Sequence, residues 1–289
     1  MPIVAMTREM GSLGKDVAAA VSARLGKPVV HHEIIDHLAD KMRLRKSHVI
    51  RFLDGKANIL ERLTTDKTSL SIFTADETVA LAESGDVAVI RGWGSAHLLR
   101  QIPHVICVRV CAPLSLRTQR MMERLDTDDI GSVVNEIKLS EEAHGAITRR
   151  HFGINWQDPE LYDLVLNTER VTIEECADEV MGLAKDPQFQ ETAQSRQMLA
   201  DLALEVHVRA ALRADPRTAK MSVSISTDRG RVTLAGTVDS GLESSDVSEI
   251  AAAVPGVKKV FREFGTAEER YLNALKSKMG GRGRPPRKQ

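Results

Sequence analysis

The chain has 289 residues, of which 42% are hydrophobic and 28% charged, with Lys plus Arg equal to Asp plus Glu at 40 each. These values are ordinary for globular proteins, leave room for two domains, and exclude a fibrous or wholly disordered chain. No run approaches the roughly 18 apolar residues of a membrane span, and the N-terminus lacks a signal-type segment. We therefore expect a cytoplasmic protein without a transmembrane segment.

The first predicted elements are a strand at residues 2–6, a glycine-containing turn and a helix at residues 16–26. The turn reads TREMGSLGKD and nearly matches the phosphate-binding pattern G-x-x-x-x-G-K-[ST]. Glu9 stands where the pattern has its first glycine, and Asp16 stands where it has a hydroxyl. The turn is therefore either an anion site at a helix N-terminus or an ordinary connection between a strand and a helix. If it is an anion site, a side chain added at Gly11 would fill the anion pocket.

Residues 27–42 read KPVVHHEIIDHLADKM and predict a short apolar run that enters a helix. Glu33 and His37 lie one turn apart, so either a metal site or a polar helix face with incidental histidines fits this pattern. We favour the polar face and expect no metal bound by side chains alone, because no further ligands can be recognised. Residues 44–84 predict two or three helices.

A strand, turn, helix and strand follow between residues 86 and 113, which is the spacing of a βαβ unit in a parallel sheet. The next predicted helix carries Arg117, Arg120 and Arg124 on one face. A strand at residues 164–166 and a last helix complete a doubly wound α/β domain that ends near Lys185. Cysteines 107 and 111 lie about 13 Å apart along a strand, too far for a disulfide, and are predicted to be core thiols.

The order of elements changes after a polar linker predicted at residues 187–197. Helix 201–214, strands 221–226 and 231–238, helix 242–254 and strand 257–264 predict a small α+β domain with a hairpin turn at DRG, residues 228–230. We therefore expect domains at residues 1–186 and 198–266, followed by a helix and a basic disordered tail at 267–289. The tail, GGRGRPPRKQ at its end, either binds an acidic surface or only solubilises the chain.

Four segments of the first domain carry motifs of a known family. The motif S-R-E-x-G-S-G-G is matched by Thr7, Arg8, Glu9, Gly11, Ser12 and Gly14, and the motif V-I-x-G-R-G by Val89, Ile90, Gly92 and Gly94. The motif A-P-x-x-x-R-x-x-R is matched by Ala112, Pro113, Arg117 and Arg120. The motif W-x-D-P-x-x-Y-D-L-V-L-N-T is matched by residues 156–168. On these motifs the first domain resembles the cytidylate kinase-like family of P-loop nucleoside monophosphate kinases over nearly all of residues 1–185.

The resemblance implies a P-loop kinase-like doubly wound parallel sheet with a lid region. It also implies a nucleotide-binding phosphotransferase that uses ATP and Mg²⁺ on a nucleotide or other small acceptor. The implied catalytic residues are Lys15, Arg117, Arg120, Arg149 and Arg150. The implied ATP-binding residues are Arg8, Glu9, Gly11, Ser12, Leu13, Gly14 and Lys15. The implied acceptor-binding residues are His31, His32, Glu33, Asp36, Arg91, Gly92, Trp93 and Gly94.

Several positions depart from the family pattern. Leu13 replaces a loop glycine, the segment 31–33 replaces D-R-E, Trp93 replaces the arginine of G-R-G, and His144 stands about where a lid arginine would be. Because phosphoryl transfer depends on cationic stabilisation, a second hypothesis stays open: a catalytically weak or inactive nucleotide-binding scaffold or sensor. Trp93 either stacks on a base or packs as core. Without the resemblance, the three arginines would be a solvated stripe that pairs with Glu123, Asp126 and Asp128.

The second domain contains RVTLAGTVDS at residues 231–240 and PGVKKV at residues 255–260. On these segments it resembles a BON domain, a small αββαβ module. The resemblance implies interaction or membrane association rather than catalysis. The expected partners are a nucleotide or small-molecule acceptor for the first domain, a protein or anionic surface for the BON-like domain and basic tail, and a second copy of the chain in a homo-oligomer.

Overall fold

A computed structural model describes residues 1–30, 66–92, 94–237 and 241–265, together with residue 42. The chain divides into two compact units, Met1–Ala203 and Leu204–Gln289. Several sequence predictions lie outside the described residues: the helix that follows residue 30, the acceptor-site candidates His31, His32, Glu33, Asp36 and Trp93, and the C-terminal helix and tail.

The first unit contains a five-stranded sheet in the order β2-β3-β1-β4-β5, in which every pairing is parallel. The strands are β1 (Ile3–Arg8), β2 (Val29–Val30), β3 (Val89–Arg91), β4 (Val105–Cys111) and β5 (Leu164–Asn167). The helices described around this sheet are α1 (Gly14–Leu25), α2 (Lys67–Ser84), α3 (Ser95–Leu99), α4 (Leu114–Leu125), α5 (Ile130–Phe152) and α6 (Ile173–Lys185). This architecture confirms the predicted doubly wound α/β fold.

The core of this unit forms where helices cover the central strands, as expected for a parallel sheet. Val4 of β1 and Val108 of β4 are fully buried, and Val17 of α1 and Val180 of α6 pack into the same cluster. All three cysteines are free; Cys107 and Cys176 are buried and Cys111 is half-buried, as the sequence predicted for core thiols.

The sheet order places β1 between β3 and β4, so the connections leave β1 and β3 in opposite directions. In open α/β sheets, ligands bind in the crevice outside the carboxyl ends of the strands at such a switch point. The turn between β1 and α1 lies at this edge, which makes it the natural place to look for a functional site.

The polar segment after α6 is more structured than the sequence predicted. A 3₁₀ turn spans Pro187–Phe189, and helix α7 (Ala193–Ala214) begins before the predicted residue 201. The Ser195 amide donates to the Thr192 hydroxyl at 3.0 Å, and the Thr192 amide donates to Ser195 Oγ at 2.9 Å. This reciprocal cap uses serine where a capping box usually has Glu or Gln, so the sequence around it lacks the usual signal for the start of a helix.

The second unit contains β6 (Val223–Asp228), β7 (Arg231–Thr237), α8 (Gly241–Ala252) and β8 (Lys259–Gly265) after the end of α7. Strands β6 and β7 form the predicted antiparallel hairpin, and β8 pairs with β7 in parallel. Arg229 and Gly230 have φ values of 50° and 86°, the positive values that tight hairpin turns require. No helix within the described ranges is both long and apolar enough to cross a bilayer.

Candidate functional site

The turn of residues 9–13, which we call the anion loop, joins β1 to α1 as the sequence predicted. Ser12 is buried, and both its amide and its hydroxyl donate to the Glu9 carbonyl, at 3.2 and 2.8 Å. Gly11 has a φ of 81°, and a Cβ added there would lie 2.7 Å from the Arg117 carbonyl oxygen. A side chain at Gly11 would therefore collide with α4, which corrects the expectation that it would fill the anion pocket.

Side chains from other elements hold two carbonyl groups of the anion loop. Arg117 Nη1 donates to the Met10 carbonyl at 3.3 Å, and the Thr168 hydroxyl donates to the Ser12 carbonyl at 2.9 Å. In a trans peptide, the C=O of one residue and the N–H of the next point in opposite directions. The N–H groups that follow these two carbonyls therefore point away from Arg117 and Thr168.

The N-terminus of α1 adds further donors to this edge. The first N–H groups of an α-helix have no intrahelical acceptor, and here they belong to Gly14 and Lys15. Together with the N–H groups of Gly11 and Leu13, they make a set of backbone donors at the positive end of a helix dipole. Such a set is suited to a phosphate group.

Glu9, the first residue of the anion loop, has a buried side chain. Its carboxylate contacts Arg109 Nη2 at 2.6 Å and Arg117 Nε at 3.4 Å, and accepts from the Ala112 amide at 3.2 Å. These contacts join the carboxyl ends of β1 and β4 to α4. The resemblance implied a role in ATP binding; the structure places the Glu9 side chain among protein partners.

Arg117 and Arg120 also face protein groups in this structure. Arg117 is only 6% exposed, and its Nη1 contacts Glu141 Oε1 at 2.6 Å. Arg120 donates to the Thr168 hydroxyl at 2.9 Å and to the Thr168 carbonyl at 2.8 Å. These partners differ from the acidic residues expected if the arginines formed a solvated stripe. Both arginines instead brace the anion loop.

Other candidate cations lie at the same edge of the sheet or on α5. Lys15 is exposed on the first turn of α1, and Arg149 is exposed near the end of α5, whereas the side chain of Arg150 lies outside the described part of the chain. Arg91 is buried at the end of β3, where burial and then the charge of Arg8 lower its pKa to about 10, against the opposing charge of Asp16.

The two glycines of the second family motif shape the turn after β3. Gly92 and Gly94 have φ values of 93° and 80°, and the Gly92 amide donates to the Met6 carbonyl at 2.9 Å. A Cβ at Gly94 would lie 2.9 Å from Phe152 Cε2. These glycines allow the turn to approach β1 and α5 closely.

His144, at the expected position of a lid arginine, belongs to an aromatic cluster. Its ring stacks on Trp156 with centroids 4.3 Å apart, and the Arg109 guanidinium lies 5.4 Å from the Trp156 ring centroid. Burial, followed by the charges of His97, Arg8 and Arg109, lowers the pKa of His144 to about 3. A neutral, stacked imidazole does not supply the lid cation.

His144 of this cluster and the half-buried His97, whose ring centroid lies 5.5 Å from that of Tyr162, predict a pH dependence of stability. The pKa of His97 is lowered to about 4, chiefly by burial and then by Arg100, while an unfolded histidine titrates near 6.5. Below pH 6.5 the unfolded chain therefore binds protons that the folded chain does not, and stability should fall as the pH is lowered towards 4. His144→Phe, which keeps a ring against Trp156, should give a shallower dependence of melting temperature on pH. Equal slopes of melting temperature against pH for the wild type and His144→Phe would contradict the assignment of this pH dependence to His144.

Sequence reasoning missed Arg109 and Glu141, and it named Thr168 only as the last residue of a family motif. Arg109 had a readable signal, since it is the one charge inside the apolar strand β4. Thr168 follows β5 directly, which places it at the same sheet edge as the anion loop. Glu141 on α5 has no distinguishing pattern, because its role depends on its distant partner Arg117.

Comparisons with known proteins concern both units of the chain. The model of the cytidylate kinase-like family matches residues 3–170, and the BON domain model matches residues 200–264. The cytidylate kinase of Methanothermobacter thermautotrophicus is 28% identical over 159 residues, which cover 55% of this chain and 89% of that protein. The cytidylate kinase of Staphylothermus marinus is 30% identical over 115 residues, 40% of this chain and 63% of that protein.

Among solved structures, an uncharacterized protein from Eubacterium ventriosum superposes with a TM-score of 0.51 at 19% identity, covering 64% of this chain and 99% of that one. This likeness concerns the fold alone. The family match covers more than half of the chain and agrees with the parallel sheet and the strand–loop–helix site described above. The chain therefore belongs to the cytidylate kinase-like family, and a BON domain follows its kinase-like unit.

Proposed function

We propose that the first unit binds a nucleoside triphosphate at the anion loop and transfers its terminal phosphoryl group to a nucleotide or other small acceptor. The observation that carries this proposal is the orientation of the loop peptides. Arg117 and Thr168 hold the carbonyls of Met10 and Ser12, so that the N–H groups of Gly11 and Leu13 are directed to the other side. Family membership supports a nucleotide kinase-like function for this site.

Different residues near the anion loop would bind the nucleotide and stabilise the charge of its phosphates. Lys15, exposed at the start of α1, would contact the terminal phosphates. Arg8, at the end of β1, would contact the phosphates of the nucleotide. Arg91, at the end of the adjacent strand β3, would neutralise negative charge at the acceptor side. Arg117 and Arg120 would act through the loop that they brace. Phosphoryl transfer needs mainly positioning and charge stabilisation, and these residues are of the types that supply both.

Asp16 would replace the hydroxyl that usually contacts Mg²⁺. Its carboxylate is exposed on the first turn of α1, and carboxylate oxygens suit Mg²⁺, which is commonly held by one or two carboxylates and the substrate phosphates. Among the described residues, no group of three or more His, Cys, Asp or Glu side chains could hold a metal ion. The cation would be bound largely through the nucleotide, where it would neutralise phosphate charge.

A second candidate function is nucleotide binding with little or no transfer. It is favoured by the engagement of Arg117 with Glu9 and Glu141, and by the neutral state of His144. In that case the chain would act as a scaffold or sensor, and its BON domain would bind a protein or an anionic surface.

Removal of the Lys15 ammonium tests the proposed binding site. Lys15→Ala should weaken ATP binding by about 10- to 100-fold, the usual effect of losing a hydrogen bond to a charged group. Lys185→Ala is the matched control, because Lys185 is an exposed lysine in the last turn of α6, a helix that runs back towards the opposite sheet edge. Isothermal titration with the full chain would measure both affinities, and equal affinities would contradict the assignment of Lys15.

A product assay separates the two candidate functions. The full chain would be incubated with ATP, with and without Mg²⁺, and with CMP or dCMP as acceptor. Formation of ADP together with a phosphorylated acceptor supports the transferase, and ATP binding without turnover supports the second candidate. If the wild-type protein does not bind ATP, both are wrong.

A further inference from the structure

The hydroxyl of Thr168 connects α4 to the anion loop. It accepts a hydrogen bond from Arg120 Nη1 at 2.9 Å and donates one to the Ser12 carbonyl at 2.9 Å. A guanidinium can only donate, so the single hydroxyl proton goes to a carbonyl oxygen, and the Ser12 carbonyl at 2.9 Å lies closer than the Cys111 carbonyl at 3.5 Å. Thr168 is itself fixed, because its carbonyl accepts from Arg120 Nη2 at 2.8 Å and its amide donates to the Cys111 carbonyl at 3.0 Å.

The hydrogen bond from Thr168 holds the Ser12–Leu13 peptide in an orientation that gives Leu13 an unfavourable backbone conformation. Leu13 has a φ of 60° and a ψ of 13°, in the left-handed region that residues with a Cβ disfavour. Rotating the Ser12–Leu13 peptide by half a turn would bring the φ of Leu13 to about −120° (60 − 180), which is an ordinary value. The same rotation would direct the Leu13 N–H inward and the Ser12 carbonyl outward. The preference of Leu13 therefore opposes the orientation that suits an anion.

We propose that Thr168 is a positioning residue, which holds the Ser12–Leu13 peptide with its N–H directed at a phosphate of the bound nucleoside triphosphate. The inference rests on the proposed function, since it concerns the same loop. It gives Thr168 a role that depends on Leu13: in a loop with glycine at position 13, both peptide orientations would be equally accessible to the backbone, and the hydroxyl would matter less.

Two substitutions at Thr168 separate the hydroxyl from the shape of the side chain. Thr168→Val keeps the branched shape and removes both hydroxyl bonds, whereas Thr168→Ser keeps the hydroxyl. By isothermal titration with ATP, Thr168→Val should bind about 3- to 10-fold more weakly than wild type, the effect expected for one lost hydrogen bond. Thr168→Ser should bind like the wild type. Melting temperatures of both variants would show whether the fold is retained.

A double-mutant cycle with Leu13→Gly distinguishes positioning from general support of the fold. In the Leu13→Gly background, Thr168→Val should weaken ATP binding less than it does in the wild-type background, because glycine has no preference for the turned peptide. A purely structural role for Thr168 predicts the same loss in both backgrounds.

The outcomes are separable from those of the proposed function. Absence of ATP binding by the wild type contradicts the proposed function itself. If the wild type binds, equal affinities of wild type and Thr168→Val overturn the inference, and so do equal losses in Thr168→Val and Thr168→Ser. If Thr168→Val does not fold, NMR spectra of the ¹⁵N-labelled wild type, recorded with and without ATP, provide the test. An N–H of Leu13 that is directed at a phosphate must change its resonance when ATP binds. An unchanged Leu13 amide resonance would overturn the inference.

Discussion

Gly11→Ala is expected to lower the melting temperature of the chain by about 5 to 15 °C, through a loss of about 2 to 4 kcal/mol in the free energy of unfolding. The added Cβ would lie 2.7 Å from the Arg117 carbonyl oxygen and 3.0 Å from Arg117 Cβ. Backbone atoms of a helix cannot move aside cheaply, so either the anion loop or α4 has to shift. The substitution also places an L-residue at a φ of 81°.

Gly153→Ala separates the collision from the unfavourable φ. Gly153 has a φ of 68°, and a Cβ there would meet nothing within 4 Å. It should therefore cost only the conformational strain of about 1 kcal/mol. Thermal melts of the two variants measure the difference, and equal shifts would show that the anion loop does not pack against α4 as described.

Glu9→Gln is expected to destabilise the protein by about 3 to 5 kcal/mol, the cost of leaving buried charges without their partner. The Glu9 carboxylate lies between Arg109 and Arg117 and is almost fully buried. A neutral amide keeps the shape but removes the carboxylate that Arg109 and Arg117 share, so that Arg109 loses its ion pair and Arg117 keeps its contact with Glu141. Chemical denaturation of the variant would measure the loss.

Glu174→Gln provides a control with the same ion-pair distance in a different environment. Glu174 contacts Arg24 at 2.6 Å, as Glu9 contacts Arg109, but the Glu174 side chain is 74% exposed. Exposed pairs contribute about 1 kcal/mol or less. Similar small losses in both variants would mean that burial of Glu9 does not raise the value of its ion pairs.

Local patterns made most of the fold predictable. The buried strands are short apolar runs, and helices such as α1 repeat apolar residues at helical spacing between recognisable ends. The hairpin turn at Arg229 and Gly230 was likewise predictable from its composition. The start of α7 was not, because its cap is formed by Thr192 and Ser195 within a segment whose polarity resembles that of a linker.

The candidate site was predictable in its position but not in its pairings. The family motifs named Glu9, Arg117 and Arg120, yet their partners lie far away along the chain: Arg109 is 100 residues from Glu9, and Thr168 is 48 residues from Arg120. Such contacts are set by the packing of the whole sheet, which a single sequence does not display. A motif therefore indicates which residues are near the site, while the fold determines whether they face a ligand or brace the loop.

A crystal structure of the full chain with Mg²⁺ and a non-hydrolysable ATP analogue tests the central claim most directly. We expect phosphate oxygens within about 2.7 to 3.2 Å of the backbone nitrogens of Gly11, Leu13 and Gly14. We also expect Arg117 to stay paired with Glu9 and Glu141. A triphosphate bound away from the anion loop, or one that draws Arg117 out of these ion pairs, would contradict it.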